Sequence, residues 1–268
     1  MFEALLSYNF LQNAFFSAIL ASIACGIIGT IIVEKKLIMM SGGIAHTAFG
    51  GIGLGYYLGI EPLIGAMGFA IFSALGISQL QNRTRISPEV VLGMFWALGM
   101  ALGILFIAVT PGYPPDITSY LFGDILTVSR VDLLITLIMD LIIVAAIGCF
   151  FNAFKTYLFD EEFAQVIGLP VSRLENLTYV LIALTVVVLI RVVGIMLIIA
   201  LLTAPPSIAR QYTNSFLNTI LLSILLGIIF CSAGLWVSYL LDIPSGAAII
   251  IIAVSSYFLI SMFKKPAP

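Results

Sequence analysis

Runs of about 20 apolar residues, the length that crosses a hydrocarbon core, recur from one end of this chain to the other. Inside lipid no water bonds the backbone N–H and C=O groups, so such runs fold as helices. Of the 268 residues, 62% are hydrophobic and only 9% are charged, and mean hydropathy is +1.20. A soluble domain carries roughly 25% charged residues. The sequence therefore predicts an all-α polytopic membrane bundle of about eight or nine crossings, a single transmembrane domain over 1–268 with the bilayer as solvent. Net charge −2 without a basic block argues against nucleic acid as a partner. Cys25, Cys149 and Cys231 each sit in an apolar run and read as small fillers, not as a disulfide or zinc framework.

The first run is Phe10–Val33, ending at Glu34-Lys35-Lys36. No positive charge precedes it, so it is expected to be a retained helix and not a signal peptide. Further helices are expected at Leu37–Gly59, Leu63–Leu80, Val91–Val109, Leu133–Phe154, Phe216–Leu241 and Ala247–Phe263, with a short amphipathic piece at Ile117–Thr127. Thr178–Arg210 is too long for one ordinary crossing: ~50 Å as a helix against a ~30 Å core. Arg191, Gly194 and Pro205-Pro206 interrupt it. Two short crossings, or one crossing and a re-entrant piece, both satisfy it. The positive-inside rule puts Lys35, Lys36, Arg83, Arg85, Lys155, Arg173, Arg210, Lys264 and Lys265 in the cytoplasm. Arg130 is then outside and Arg191 within the membrane, with the N-terminus outside and the C-terminus inside.

Met39–Gly59 stands apart, because it holds seven glycines and the chain's only histidine, His46. Glycine costs ~1 kcal/mol at a helix-interior position, so this helix is shaped for close contact. Gly51, Gly55 and Gly59 repeat every four residues, a ridge that lets another helix approach. His46 shares a neighbouring face with Gly50 and Gly53. The space in front of it is either a conduction path or the backbone of a partner helix. Imidazole is a common ligand of divalent transition metals, and Met39 lies two turns earlier on roughly the same face.

Two other features carry charge. Asp160 is placed to cap a short helix whose first turn holds Glu161 and Glu162. Phe163, Val166 and Ile167 give that helix an apolar stripe, and Gly168-Leu169-Pro170 ends it. It is either an interfacial anchor or a docking element for a soluble partner, and the sharp ends favour docking. Asp140 and Arg191, both within apolar runs, are expected to form a buried ion pair. No Walker P-loop, Gly-x-Ser-x-Gly or His-Glu-x-x-His occurs, so no ATP hydrolysis or familiar intramembrane protease is encoded.

With SGGIAHTAFGG (Ser41–Gly51), SYLFGDIL (Ser119–Leu126), FDEEFAQVIGLPVSRLENL (Phe159–Leu177), RVVGIMLIIALLTAPPSIAR (Arg191–Arg210) and LDIPSGAAIII (Leu241–Ile251), the chain resembles the membrane permease subunits of zinc/manganese/iron ABC importers over nearly its whole length. The resemblance implies a non-enzymatic subunit without intrinsic cofactor in a prokaryotic cell membrane. It implies a homodimer of permeases, cytoplasmic ATPase subunits, and an extracytoplasmic metal-binding protein delivering a divalent metal ion as cargo. It also implies that residues 158–174, with Asp160, Glu161, Glu162, Phe163, Gly168 and Pro170, form the coupling region. Helix-two metal ligands in the family are an Asp followed four residues later by a His; here these positions are Gly42 and His46. The missing carboxylate leaves softer donors, His46 and Met39 or Met40. It also leaves open a chelated-metal or cobalamin-like cargo. A stand-alone ion-gradient carrier is the rival class, disfavoured because carboxylates within the spans are scarce.

Overall fold

A computed structural model describes residues 8–83, 87–112, 123 and 125–263. Among them there is no strand. The helices are α1 (Asn9–Glu34), α2 (Ile38–Leu58), α3 (Pro62–Arg83), α4 (Pro88–Val109), α5 (Arg130–Cys149), α6 (Phe151–Phe159), α7 (Glu161–Val166), α8 (Val171–Tyr212), α9 (Phe216–Leu241) and α10 (Ser245–Phe263), with a 3-10 turn at Ile125–Thr127. The expected amphipathic piece before that turn, and Arg85, Lys264 and Lys265, lie outside the described residues.

Local chemistry sets the helix ends. Pro88 starts α4, where its missing N–H is not needed. At the start of α5, Ser129 Oγ accepts from the Asp132 backbone N–H while the Asp132 carboxylate accepts from the Ser129 N–H, a complete capping box. Gly59 closes α2 in the left-handed region at φ +66°. The expected single helix over Leu133–Phe154 is instead interrupted at Phe150, so that α6 continues past the end of α5.

The 42-residue α8 resolves the choice that its length posed. Gly194 has φ +76° and ψ 160°, outside helical space, and divides it into arms 171–193 and 195–212. Ion pairs show that the arms fold back on one another. Arg210, near the end of the second arm, bonds Glu34 at 2.9 Å, and the adjacent Lys35 bonds Glu161 at 2.9 Å. Glu161 begins the short helix that leads directly into the first arm. Both ends of α8 thus meet at the end of α1. Arg191, beside the bend, instead bonds Glu61, beyond the far end of α2. A straight helix of this length would span ~63 Å and could not do both. Pro205 and Pro206 do not break the chain as expected; they lie inside the second arm, with Pro206 against Gly29 of α1.

Seven helices are long and apolar enough to cross a membrane. The glycine-rich α2 spans 21 residues and is less apolar, yet it lies buried among its neighbours. With α2 and the two arms of α8 counted separately, nine helical segments among the described residues are available to cross, in keeping with the expected eight or nine. On their outer faces α4 and α5 expose Met94, Leu98, Val131, Leu134 and Leu141.

The centre of packing is bare backbone. A methyl group placed on Gly51 would overlap the Gly65 carbonyl of α3, and one on Gly55 would sit 2.7 Å from Pro62 Cα. On the other side, Gly50 and Gly53 would meet the Gly99 and Gly103 carbonyls of α4 at 2.8 and 2.5 Å. The ridge therefore packs within the chain, and Gly59 is not part of it: nothing lies within 4 Å of its added methyl. Gly59 is a cap.

These contacts predict that Gly51→Ala destabilises by about 1–3 kcal/mol, because backbone cannot move aside as a side chain does. Gly68→Ala, with nothing within 4 Å, is tolerated. Thermal unfolding of the purified chain in detergent separates the two.

Candidate functional site

His46 sits in the middle of α2, 5% exposed, with its imidazole stacked on Trp96 of α4 at 4.1 Å between centroids and 9° between planes. Thr47 fixes this pairing: its Oγ1 donates to Gly43 O at 2.7 Å and lies 3.1 Å from Phe95 O. The question of what faces His46 thus resolves partly in favour of a partner helix. One atom stays unaccounted for. His46 Nδ1 is buried without a hydrogen-bond partner.

Helical side chains lean toward the N-terminus, so the imidazole lies over the turn that contains Gly42. A methyl on Gly42 would meet only Ile199 Cδ1, at 4.0 Å. Room for a methyl group therefore exists at Gly42, one turn before His46. Met39 is 55% exposed at the start of α2, so the structure does not gather it with the buried His46. Among the described residues no three His, Cys, Asp or Glu side chains stand close enough to hold a metal ion. A larger apolar cleft of about 480 Å³ lies between α2, α3 and α4, lined by Thr47, Phe69 and Phe95 but not by His46.

The expected Asp140–Arg191 pair does not form. Arg191 Nη1 bonds Glu61 Oε1 at 2.6 Å and its Nε bonds Asp132 Oδ1 at 2.9 Å. Asp140 is eight residues beyond Asp132 on α5, ~12 Å along the axis and out of the guanidinium's reach. It is 4% exposed and neither of its oxygens has a partner. Beside the clamp, Gly123, at φ +69°, lays its backbone on Val193 and Gly194 at the bend. The spacing of Ser129 and Asp132 was the signal that α5 starts early enough to reach Arg191. Trp96 carried no comparable signal.

The capped segment forms as read. Asp160 Oδ1 accepts from Phe163 N at 2.9 Å, and Glu161 and Glu162 occupy the first turn of α7. Gly168, at φ +82°, ends it: Leu169 N bonds Ala164 O and Gly168 N bonds Gln165 O, each at 3.0 Å. Pro170 then caps α8. Phe163, Val166 and Ile167 are exposed, Val166 by 84%. Beside them opens a polar cleft of about 810 Å³ with Gln165, Ser172 and Arg173 on its walls. Lys35 reaches Glu161 while lying 3.7 Å over the Tyr157 ring. Burial, reinforced by the carboxylates of Glu175 and Glu161, pushes the Tyr157 phenol well above its usual range, so the ring stays neutral beneath the ammonium.

Its apolar helices, with a buried imidazole in a glycine-lined core and a capped helix protruding at one end, make this a multi-pass helical membrane protein. The chain belongs to the ABC 3 transport family, whose sequence profile matches residues 7–265. It is 40% identical over 268 residues to an uncharacterized membrane protein of Synechocystis sp., covering 99% of this chain and 95% of that one. It is 34% identical over 265 residues to the manganese transport system membrane protein MntC of Halalkalibacterium halodurans, covering 99% and 90%. Among solved structures it is similar to PsaBC from Streptococcus pneumoniae in complex with Fab, with TM-score 0.88 and 33% identity over 99% of this chain and 95% of that one.

The clamp yields a discriminating test. Arg191→Ala and Asp132→Asn each lower stability by about 1–3 kcal/mol, between the exposed-pair and buried-pair ranges. Asp140→Asn does not, which thermal unfolding of the three variants side by side would show.

Proposed function

We propose that this chain is the membrane permease of an ABC importer that carries a divalent transition metal ion (zinc, manganese or iron) across the cell membrane. Support comes from the manganese transport relative and the PsaBC likeness, and the carrying observation is the buried, unpartnered Nδ1 of His46. A neutral imidazole nitrogen held in low dielectric without a partner is a ready ligand for an arriving cation. Two permeases side by side would supply two such nitrogens.

ATP hydrolysis belongs to separate cytoplasmic subunits. They dock on the exposed Phe163, Val166 and Ile167 of α7 and the adjoining polar cleft, and an extracytoplasmic binding protein delivers the ion. What supports a cytoplasmic α7 is charge: Lys35, Lys36, Lys155, Arg173 and Arg210 gather at the end of the bundle where α7 lies. With that end inside, the N-terminus is outside and the C-terminus inside. Alternating access then moves the room at Gly42 from one side to the other.

Glycine at position 42, where the resemblance implies a carboxylate, favours a second reading. A metal that brings its own small ligand could occupy space that a protein carboxylate would otherwise take. The capacity of the free and chelated metal to compete in uptake tells the two apart.

In cells, His46→Ala reduces metal uptake to background while the chain still inserts and assembles; undiminished uptake removes His46 from the path. Val166→Asp combined with Phe163→Asp, on an exposed face, leaves the fold intact and abolishes co-purification with the ATPase.

A further inference from the structure

At the inner end of α1, two adjacent side chains hold two different moving parts. Glu34 Oε1 accepts from Arg210 Nε at 2.9 Å, and Lys35 Nζ bonds Glu161 Oε2 at 2.9 Å. Both are well shielded, with side chains 10% and 15% exposed, so these pairs are screened less than surface pairs. The turn that presents them is tight. Lys36 N bonds Val33 O, Leu37 N bonds Ile32 O, and Lys36 adopts φ +58°. Left-handed backbone at a lysine is strained and persists only where the surroundings enforce it.

The two partners lead in opposite directions. Glu161 starts α7, the exposed helix. Arg210 belongs to the second arm of α8, which rises along α1, where Gly29 meets Leu202 O and Pro206. Eleven residues earlier on this arm is Ile199, ~16 Å away along a helix. Ile199 is the side chain that borders the methyl-sized room at Gly42, one turn before His46. A shift of the second arm changes that room directly.

We propose that Glu34 and Lys35 are the junction through which displacement of α7 reaches the second arm of α8 and, through Ile199, the room at Gly42, one turn before His46. They are positioning residues and never touch the cargo. A two-sided ionic junction at a strained turn transmits both push and pull, which apolar contact alone does not. This inference rests on the permease reading and adds the route inside the chain.

The test uses the chain co-purified with its ATPase subunits, reconstituted in proteoliposomes with the binding protein, with manganous ion as probe. ATP hydrolysis and metal uptake are measured together. Glu34→Arg and Arg210→Glu each lower uptake per ATP at least about fivefold, the low end of measured site-to-site couplings. ATPase binding is retained, and the unfolding temperature falls no further than it does for Arg191→Ala, whose ion pair is similarly shielded. The exchange Glu34→Arg with Arg210→Glu restores the ratio to within about twofold, the usual scatter of paired substitutions. Lys35→Met, which breaks the other joint, lowers the ratio in the same sense. An unchanged ratio in the single variants overturns the proposal. So does a loss of stability and uptake in parallel at constant ratio, which marks a merely structural pair. Failure of the unsubstituted chain to bind any ATPase overturns the permease reading itself, and is seen before any variant is made.

Discussion

Backbone lying directly on backbone along α2 is the interaction on which the rest of the structure depends. Between membrane helices there is no hydrophobic gain from association, since lipid is as apolar as leucine, so packing must come from close van der Waals contact. Gly51 and Gly55 admit α3, and Gly50 and Gly53 admit α4. With both neighbours this near, Trp96 comes within stacking distance of His46, and the imidazole is sealed from lipid. The glycines lower the helix propensity of α2 by ~1 kcal/mol each. That cost is offset only by contacts on both sides, so the helix holding the single histidine is also the one most dependent on its neighbours.

Charge obeys a complementary rule. Every described ion pair lies near an end of the bundle: Glu34–Arg210 and Lys35–Glu161 at one, Arg191 with Glu61 and Asp132 at the other. Unit charges attract several-fold more strongly in a partly shielded site than in water, while desolvating them fully is expensive. Helix ends are where both demands are met. The fold-back of α8 follows from the same arrangement. Its two arms are held at one end by Arg210 and near the bend by Arg191, and Gly194 supplies the conformation that no other residue adopts cheaply.

Much of this was legible in the sequence because it is local or periodic. The apolar runs, the Asp160 cap and the Gly168-Leu169-Pro170 stop depend on residues within a turn of each other, and they appear where the sequence reading put them. Long-range partnerships were not legible. Asp140 and Arg191 have compatible charges, but Asp140 lies ~12 Å further along α5 than Asp132, which stands three residues from its capping partner at the level of the guanidinium. Gly59 shares the spacing of Gly51 and Gly55 yet serves as a terminator, because periodicity does not say where a helix stops. Likewise, Pro205 and Pro206 looked like an interruption and are instead accommodated in the second arm, against the side-chain-free Gly29.

What remains after packing and pairing are accounted for is a small set of buried polar atoms without partners. His46 Nδ1 and both Asp140 oxygens are among them. An unsatisfied buried donor or acceptor costs about 1–3 kcal/mol, more when charged, so native structures keep few. The two cases differ in their surroundings. Beside His46 the position one turn earlier is glycine and opens on Ile199, a side chain carried by the arm whose other end is tied to Glu34. Asp140 has no such neighbour on the second arm among its described contacts, whereas the unmade bond of His46 lies one turn from a glycine faced by a bent, charge-tethered helix, which is why the proposed role falls to His46.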